Sequence, residues 1–184
     1  MHICTLAHLL MITIISATNR PISNARIISE IYCDLLQQRG EQARILDLME
    51  LPPDFIASAL YKNTGKNPGF NRLVQTVESS DKIVFVVPEY NASFPGVLKA
   101  FLDGLNYPES LQHKKAALVG LSTGTQGGAL ALSHLTDVLN YMGMHVLAAK
   151  PRLMHIHKHL QDRKLTNALY RDLLSQQIDQ LILF

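Results

Sequence analysis

The 184-residue chain has no tryptophan, only two cysteines and no long run of like charge. Its 17 basic and 15 acidic residues leave a formal net charge of +2, which is too weak a field to attract a nucleic acid. Cys4 and Cys33 form neither a Cys-x-x-Cys pair nor a Cys/His spacing typical of zinc. The composition therefore argues against a nucleic-acid-binding protein, a disulfide scaffold and a metal domain, and it favours a reducing cytoplasm.

An apolar stretch covers residues 3–15. It has no Lys/Arg-rich start and is shorter than the ~20 residues of a membrane span, so we predict neither a signal peptide nor a membrane partner. Its second half is better explained as a strand that begins at Met11. We expect residues 1–10 to be an N-terminal extension that is either mobile or misassigned, and residues 11–184 to form one folded domain.

Five short apolar runs rich in β-branched residues predict five strands. These runs cover residues 11–16, 43–48, 82–88, 116–122 and 145–149. The first, third and fourth are apolar at consecutive positions, which is typical of parallel strands covered by helices on both faces.

Between and after these runs, apolar residues recur at helical spacing. This spacing predicts five helices, over residues 27–36, 70–79, 97–105, 132–142 and 165–181. Strands and helices that alternate in this way favour an α/β, flavodoxin-like three-layer sandwich. Its five-stranded parallel sheet has the order 2-1-3-4-5, with helices on both faces. Ligands of such sheets bind beyond the carboxyl ends of the strands.

The loop after the first strand has the composition of an anion site. Ser16, Thr18 and Arg20 precede Ser23 and Asn24, where a helix is predicted to begin. Helix N-termini and an arginine favour a phosphate. The loop is neither GxxxxGK[ST] nor GxGxxG, so a monophosphate is favoured over a triphosphate or a dinucleotide. In the alternative interpretation, Ser23 or Asn24 simply caps the helix.

The loops after the third and fourth strands are suited to a planar ring. Pro88, Glu89, Tyr90 and Asn91 can place main-chain groups along a ring edge such as the pyrimidine edge of a flavin, although a proline-rich turn is the alternative. The Gly-rich residues 122–128 allow a close backbone approach, although many such loops are only turns. All three loops leave the same edge of the predicted sheet.

Together these residues resemble the NADPH-dependent FMN reductases, a flavodoxin-like family that includes quinone, azo-dye and chromate reductases. The resemblance covers residues 11–147. Residues 88–103 look like the signature PEYNxSxPGxLKNxxDW, and Thr18, Arg20 and Ser23 resemble the phosphate loop GSxRxxS. Ala17 stands where the family usually has glycine.

The resemblance implies bound FMN, with NADPH or NADH as co-substrate and flavin, quinone or similar small molecules as electron acceptors in a ping-pong reaction. It also implies a homodimer or homotetramer, for which Phe94, Val97 and Phe101 are either interface or core residues. Hydride transfer needs no protein acid or base, so we predict no catalytic residue. The predicted cofactor-binding residues are Ser16, Thr18, Arg20, Ser23, Asn24, Pro88, Glu89, Tyr90, Asn91, Ser122, Thr123 and Gly124.

Two other functions are compatible with these motifs. A flavodoxin-like electron carrier has no substrate of its own, but such carriers are usually acidic, and the pI of this chain is about 8.6. A flavin-free relative is the third class, and Ala17 leaves it open. His155, His157 and His159 alternate along the chain, which fits a metal site, an exposed loop or a subunit contact.

Overall fold

The computed structural model describes residues 10–184, which are organised around a parallel β-sheet. The strands of this sheet are β1 (Met11–Ser16), β2 (Gln42–Asp47), β3 (Lys82–Pro88), β4 (Lys115–Leu121), β5 (His145–Val146) and β6 (Arg152–Leu153). Residues 1–9 of the predicted N-terminal extension lie outside the described residues.

The strand order confirms the predicted flavodoxin-like arrangement. It is β2-β1-β3-β4-β5, with β6 also paired to β4. The pairs are parallel, and Ile14 in β1 lies between Ile45 of β2 and Val84 of β3. β3 and β4 are buried along almost their whole length, because helices cover both faces of the sheet.

The longer helices form the two outer layers of the sandwich. α3 (Pro68–Glu78), α4 (Gly96–Asp103) and α5 (Ala129–Tyr141) pack on one face, and α1 (Asn24–Gln37) and α6 (Ala168–Leu183) pack on the other. A short helix that the sequence did not indicate, α2 (Phe55–Ala59), stacks the ring of Phe55 on Phe70 with centroids 5.7 Å apart. Within residues 10–184, no helix is long and apolar enough to cross a bilayer.

The prediction of one strand over residues 145–149 is wrong in its second half. β5 stops at Val146, and pairing with β4 resumes only in β6, after the bulge of residues 147–151. Pro151 in this bulge has no N–H for a ladder bond. The fifth position in the sheet is therefore shared by two short strands.

A buried glutamine bridges the gap between these two strands. Gln177 on α6 is 1% exposed, and its Nε2 donates to the carbonyl oxygens of Leu118 at 2.9 Å and Ala149 at 2.7 Å. Its Oε1 accepts a hydrogen bond of 3.1 Å from the hydroxyl of Tyr32. One side chain thus supplies hydrogen bonds that the interrupted strand does not, and it joins α1 and α6 to the sheet.

The last predicted helix, over residues 165–181, begins too early. Its first residue belongs to an antiparallel hairpin of β7 (Leu160–Gln161) and β8 (Lys164–Leu165), and α6 starts only after this hairpin. Asp162 and Arg163 at the turn have φ values of 47° and 59°. Such turns usually contain Asn-Gly or Asp-Gly, so Asp-Arg gives little sign of one.

Candidate functional site

Three loops meet at the carboxyl edge of the sheet. The first loop (17–23) follows β1, the second loop (89–95) follows β3, and the third loop (122–128) follows β4. They border an open cleft with a cavity of about 280 Å³, near the lower end of the ~300–1,000 Å³ of small-molecule sites. The cleft is lined by Thr18, Arg20, Ile22, Ser23, Asn24, Ala25, Pro88, Glu89, Tyr90, Leu121, Ser122, Thr123 and Ile156. Of the predicted cofactor-binding residues, all but Ser16, Asn91 and Gly124 line it.

The first loop presents hydrogen-bond donors at the start of α1. Ser23 does cap this helix, because its Oγ accepts a hydrogen bond of 3.1 Å from the N–H of Arg26. The N–H groups of Asn24 and Ala25 make no hydrogen bond within residues 10–184. The exposed Arg20 side chain forms no salt bridge in the same part of the chain. Helix N–H groups and a guanidinium are both groups that favour an anion.

The last residue of β1 has a buried hydroxyl that makes no hydrogen bond within residues 10–184. Ser16 Oγ is fully buried and makes no hydrogen bond in the described chain, which is unusual enough to mark a candidate ligand contact. Ala17 follows it, is buried, and donates its N–H to the Val86 carbonyl at 3.1 Å. The φ of Ala17 is not positive, so alanine fits this position without backbone strain.

The second loop is a tight hairpin turn. Tyr90 and Ser93 exchange two backbone hydrogen bonds of 2.8 and 3.0 Å, and φ is 49° at Asn91 and 60° at Ala92 between them. Asn91 therefore lies exposed at the tip, outside the lining of the cavity. Ser93 Oγ is 3.0 Å from Nδ1 of His134 on α5, which anchors the base of the hairpin.

A side-chain hydrogen bond joins the first loop to the second. Thr18 Oγ1 and the hydroxyl of Tyr90 are 2.8 Å apart, and the N–H of Arg20 donates to the same Oγ1 at 3.2 Å. Thr18 is fully buried, whereas Tyr90 is half-buried and lines the cleft. The tyrosine is thus held beside the cleft before any ligand binds, which lowers the ordering cost of binding.

The third loop packs closely against β4 at its C-terminal end, near Gly127 and Gly128, and is uncrowded near Gly124. A Cβ on Gly120 would lie 2.5 Å from the carbonyl oxygen of Gly127, and Gly128 has a left-handed φ of 82°. Gly124 differs, because its φ is not positive and a Cβ there would come no closer than 4.0 Å to its nearest neighbour, Ser122 Oγ. The fold itself does not require glycine at position 124, because an added Cβ there would be uncrowded.

Glu89 connects the second and third loops. Its Oε2 accepts a hydrogen bond of 3.0 Å from the N–H of Gly128, and its own N–H donates to the carbonyl of Leu121 at 2.9 Å. Gly128 precedes α5, and a carboxylate is favoured at a helix N-terminus. The side chain of Glu89 is therefore used to hold the two loops together.

A fourth segment, residues 155–156, borders the cleft, and the sequence analysis did not assign it to the site. Ile156 is buried and lines the cavity, and Nδ1 of His155 is 3.0 Å from the carbonyl oxygen of Thr123. His159 packs elsewhere, edge-on against Tyr170 with centroids 5.2 Å apart. In the described chain, no group of three or more His, Cys, Asp or Glu side chains is arranged to hold a metal ion.

An ion network occupies the other charged groups at the start of α1. Arg26 Nε is 3.0 Å from Glu30, its NH1 is 3.3 Å from Asp47, and Arg163 also contacts Glu30. The hydrogen bond to Glu30 raises the pKa of Arg26. Burial acts to raise the pKa of Glu30, but the hydrogen bonds from Arg26 and Arg163 bring it below its ordinary value. Arg26 is therefore engaged with carboxylates, which leaves Arg20 as the cation that faces the cleft.

Cys33 is not suited to chemistry. It is buried on α1, and burial raises the pKa of its thiol, with the charge of Asp34 adding to the effect. A protonated, inaccessible thiol is a poor nucleophile. The residue contributes to packing.

The fold is that of a flavodoxin-like protein, with an open cleft at the carboxyl edge of its sheet. The sequence profile of the NADPH-dependent FMN reductases matches residues 10–157, and the chain belongs to this family. The resemblance noted in the sequence motifs is thereby confirmed.

Curated relatives match part of the chain. An NAD(P)H-dependent FMN reductase of Pseudomonas aeruginosa is 36% identical over 92 residues, which are 49% of this chain and 49% of that protein. A 2-hydroxy-1,4-benzoquinone reductase of a Burkholderia species is 39% identical over 82 residues, which are 43% of this chain and 44% of that protein. The chain thus spans about half the length of these relatives.

Solved structures match almost the whole chain at lower identity. The flavoenzyme FerB, an NAD(P)H:(acceptor) oxidoreductase from Paracoccus denitrificans, has a TM-score of 0.74 and 23% identity, over 94% of this chain and 95% of that chain. An archaeal flavodoxin has a TM-score of 0.59 and 14% identity, over 94% of this chain and 98% of that chain. At these identities, the likeness establishes the fold alone.

Proposed function

We propose that this chain is an FMN-dependent NAD(P)H oxidoreductase that reduces quinones, flavins or similar small acceptors. One observation carries the proposal. In a chain of the NADPH-dependent FMN reductase family, an anion site at the start of α1 and a cleft lined by Tyr90 and the third loop share one edge of the sheet. The names of the matched relatives, an FMN reductase and a benzoquinone reductase, support the same class of reaction.

The first loop fits the phosphate of FMN. Arg20 supplies a positive charge, and the N–H groups of Asn24 and Ala25 have no acceptor in the described chain. The hydroxyl of Ser23 accepts a backbone N–H and is able to donate its own proton, and the hydroxyl of Thr18 can do the same when Tyr90 is the donor in the bond between them. The partnerless hydroxyl of Ser16 is a further candidate donor.

The second and third loops fit the ring system. Pro88, Glu89 and Tyr90 border one side of the cleft, and Ser122 and Thr123 border another. Gly124 does not line the cavity, but it follows Thr123 directly, and we assign it to the same edge of the ring. Asn91, at the exposed hairpin tip, is assigned to the outer end of the site.

FMN bound in this cleft would supply the redox chemistry, since it exchanges hydride with nicotinamides and with quinone-type acceptors. The chain holds and orients it through the first loop and supplies backbone N–H donors at the third loop. The cleft is open, so nicotinamide and acceptor would occupy the same space in turn, as a ping-pong reaction requires. No side chain is needed as an acid or base, and we assign no catalytic residue.

The supporting test is anaerobic mixing of the purified protein with NADPH or NADH, followed by a panel of quinones and flavins. We expect a yellow protein whose flavin absorbance is lost with a nicotinamide and restored by an acceptor. A yellow protein that neither nicotinamide bleaches would be an electron carrier. A colourless protein whose melting temperature is unchanged by saturating FMN would be a flavin-free relative.

We also propose that the protein is a homodimer or homotetramer in the cytoplasm. Phe94 and Val97 are partly exposed beside the second loop, whereas Phe101 is buried in the core and is unsuited to an interface. The stacked rings of Tyr107 and Tyr141 offer further apolar surface, being 63% and 80% exposed. Light scattering should give at least twice the chain mass of 20.5 kDa, and a monomeric mass would contradict the proposal.

A further inference from the structure

Two residues of the fourth segment bind three successive carbonyl groups of the third loop. The N–H of Ile156 donates to the carbonyl of Ser122 at 3.0 Å, and the N–H of His155 donates to that of Gly124 at 3.0 Å. Between them, Nδ1 of His155 lies 3.0 Å from the carbonyl oxygen of Thr123. This part of the third loop is therefore fixed along its carbonyl side.

Fixing the carbonyl groups also fixes the N–H groups. In a trans peptide, the C=O of one residue and the N–H of the next point in opposite directions. The N–H groups of Thr123, Gly124 and Thr125 therefore point away from His155 and Ile156. None of these three N–H groups has an acceptor within residues 10–184, and the first of them belongs to Thr123, which lines the cleft.

The backbone of His155, which makes one hydrogen bond through its N–H and another through Nδ1, has an unusual conformation. Its φ of 47° lies in the left-handed region, which histidine tolerates better than most residues. A carbonyl oxygen only accepts, so a hydrogen bond between Nδ1 of His155 and the Thr123 carbonyl requires a proton on Nδ1. This bond polarises the peptide between Thr123 and Gly124 and makes the Gly124 N–H a stronger donor.

We propose that His155 is a positioning residue that presets the N–H donors of residues 123–125 for the polar edge of the flavin ring, so that the reduced, more electron-rich ring is bound more tightly. The inference rests on the proposed function. His157 offers a matched comparison, because its exposed ring meets that of His155 edge-on, with centroids 6.4 Å apart, yet it makes no bond to the third loop.

The test compares His155→Ala, His155→Asn and His157→Ala with the wild type. Asparagine tolerates a left-handed φ and places an N–H donor near the position of Nδ1. We expect His155→Ala to bind FMN about tenfold more weakly. The midpoint potential of the FMN bound to this variant should fall by about 30 mV. For a two-electron couple, this shift corresponds to a tenfold loss of preference for the reduced form. His155→Asn should restore most of both changes, and His157→Ala should match the wild type.

The outcomes separate this inference from the function on which it rests. Wild-type affinity and potential in His155→Ala would overturn the inference and leave the proposed function standing, whereas a wild type that does not bind FMN would overturn both. Circular dichroism of each apoprotein checks that the variants fold. In the wild-type apoprotein, long-range nitrogen–proton NMR should show the Nδ1–H tautomer of His155, and the Nε2–H tautomer would overturn the inference without any flavin.

Discussion

The two edges of the sheet use polar groups in opposite ways. At the amino edge, Lys82 is 5% exposed, and its Nζ donates to the carbonyls of Leu181 and Ile182 at 2.8 and 2.9 Å. At the carboxyl edge, Arg20, Ser16 Oγ and the N–H groups of two loops have no such partners in the described chain. Satisfied polar groups stabilise the fold, whereas unsatisfied ones gain most when a ligand binds.

Lysines at the amino edge hold the ends of helices. Lys82 and Lys115 are paired across β3 and β4, and both bind carbonyls in the last residues of the chain, whereas Lys114 binds the carbonyl of Glu78 at 2.7 Å. Burial lowers the pKa of Lys82, and the charge of Lys115 lowers it further. The carbonyls at the end of α6 carry partial negative charge and offset this cost.

Lys82→Met should have the largest effect, and only on stability. Two helix carbonyls would lose a charged donor in a buried place, so we expect the free energy of unfolding to fall by about 2–3 kcal/mol while FMN affinity stays within about twofold. Thermal and urea unfolding provide the measurement. The control is Lys99→Met, which removes an exposed pair with Asp103 and should cost less than about 0.5 kcal/mol. Equal stability of the two variants would show that the amino edge is not held in this way.

Arg20→Ala should give the converse result at the carboxyl edge. We expect FMN to bind about 30-fold more weakly, which corresponds to about 2 kcal/mol for a lost charge-assisted contact, with no change in the melting temperature of the apoprotein. Riboflavin, which has no phosphate, is the matched ligand for fluorescence titration and should bind both proteins equally. A loss of affinity that is the same for both ligands would contradict the assignment of Arg20 to the phosphate.

Because a hydrogen bond joins Thr18 to Tyr90, substitutions of these two residues should have coupled effects on FMN affinity. Thr18→Val and Tyr90→Phe each remove one partner of the 2.8 Å hydrogen bond. We expect each single variant to weaken FMN binding and the double variant to be little worse than either, with a coupling energy of about 1 kcal/mol. Isothermal titration of all four proteins gives this value. Strictly additive losses would show that the bond does not shape the cleft.

Gly124→Ala should produce the smallest change. It should weaken FMN binding while leaving the stability of the apoprotein nearly unchanged. Because a Cβ at position 124 meets only open space, the stability of the apoprotein should change by less than about 0.5 kcal/mol. FMN affinity should fall about fivefold, or ~1 kcal/mol, since the methyl group would approach the flavin ring in its proposed position beside residues 123–125. Gly128→Ala is the contrasting variant, because its left-handed φ of 82° predicts a loss of stability. Equal destabilisation by the two substitutions would contradict this distinction.

Much of this architecture follows from local patterns in the sequence. The continuous apolar runs of β1, β3 and β4 indicate strands buried on both faces, and parallel strands bring the loops that follow them to one edge. The position of Arg20 next to the start of a helix could therefore be predicted without coordinates. Asn91 was harder to place, because Asn91-Ala92 lacks the glycine that usually signals such a tight hairpin turn.

The parts that could not be predicted depend on contacts between residues distant in the sequence. The interruption of the fifth strand is bridged by Gln177, a polar residue on a helix that gives no local sign of this role. The positions of His155 and Ile156 in the site follow from that interruption. Pro151 is the one local signal, and it indicates a break without giving the direction in which the chain continues.

The interrupted strand also has a consequence for solubility. A long, flat strand at the edge of a sheet is a template on which another chain can add a strand and begin to aggregate. Among residues 10–184, that edge consists of His145–Val146 and Arg152–Leu153, separated by a bulge that contains Lys150 and Pro151. A continuous strand in this place would gain ladder bonds, but it would also expose a straight edge to other molecules.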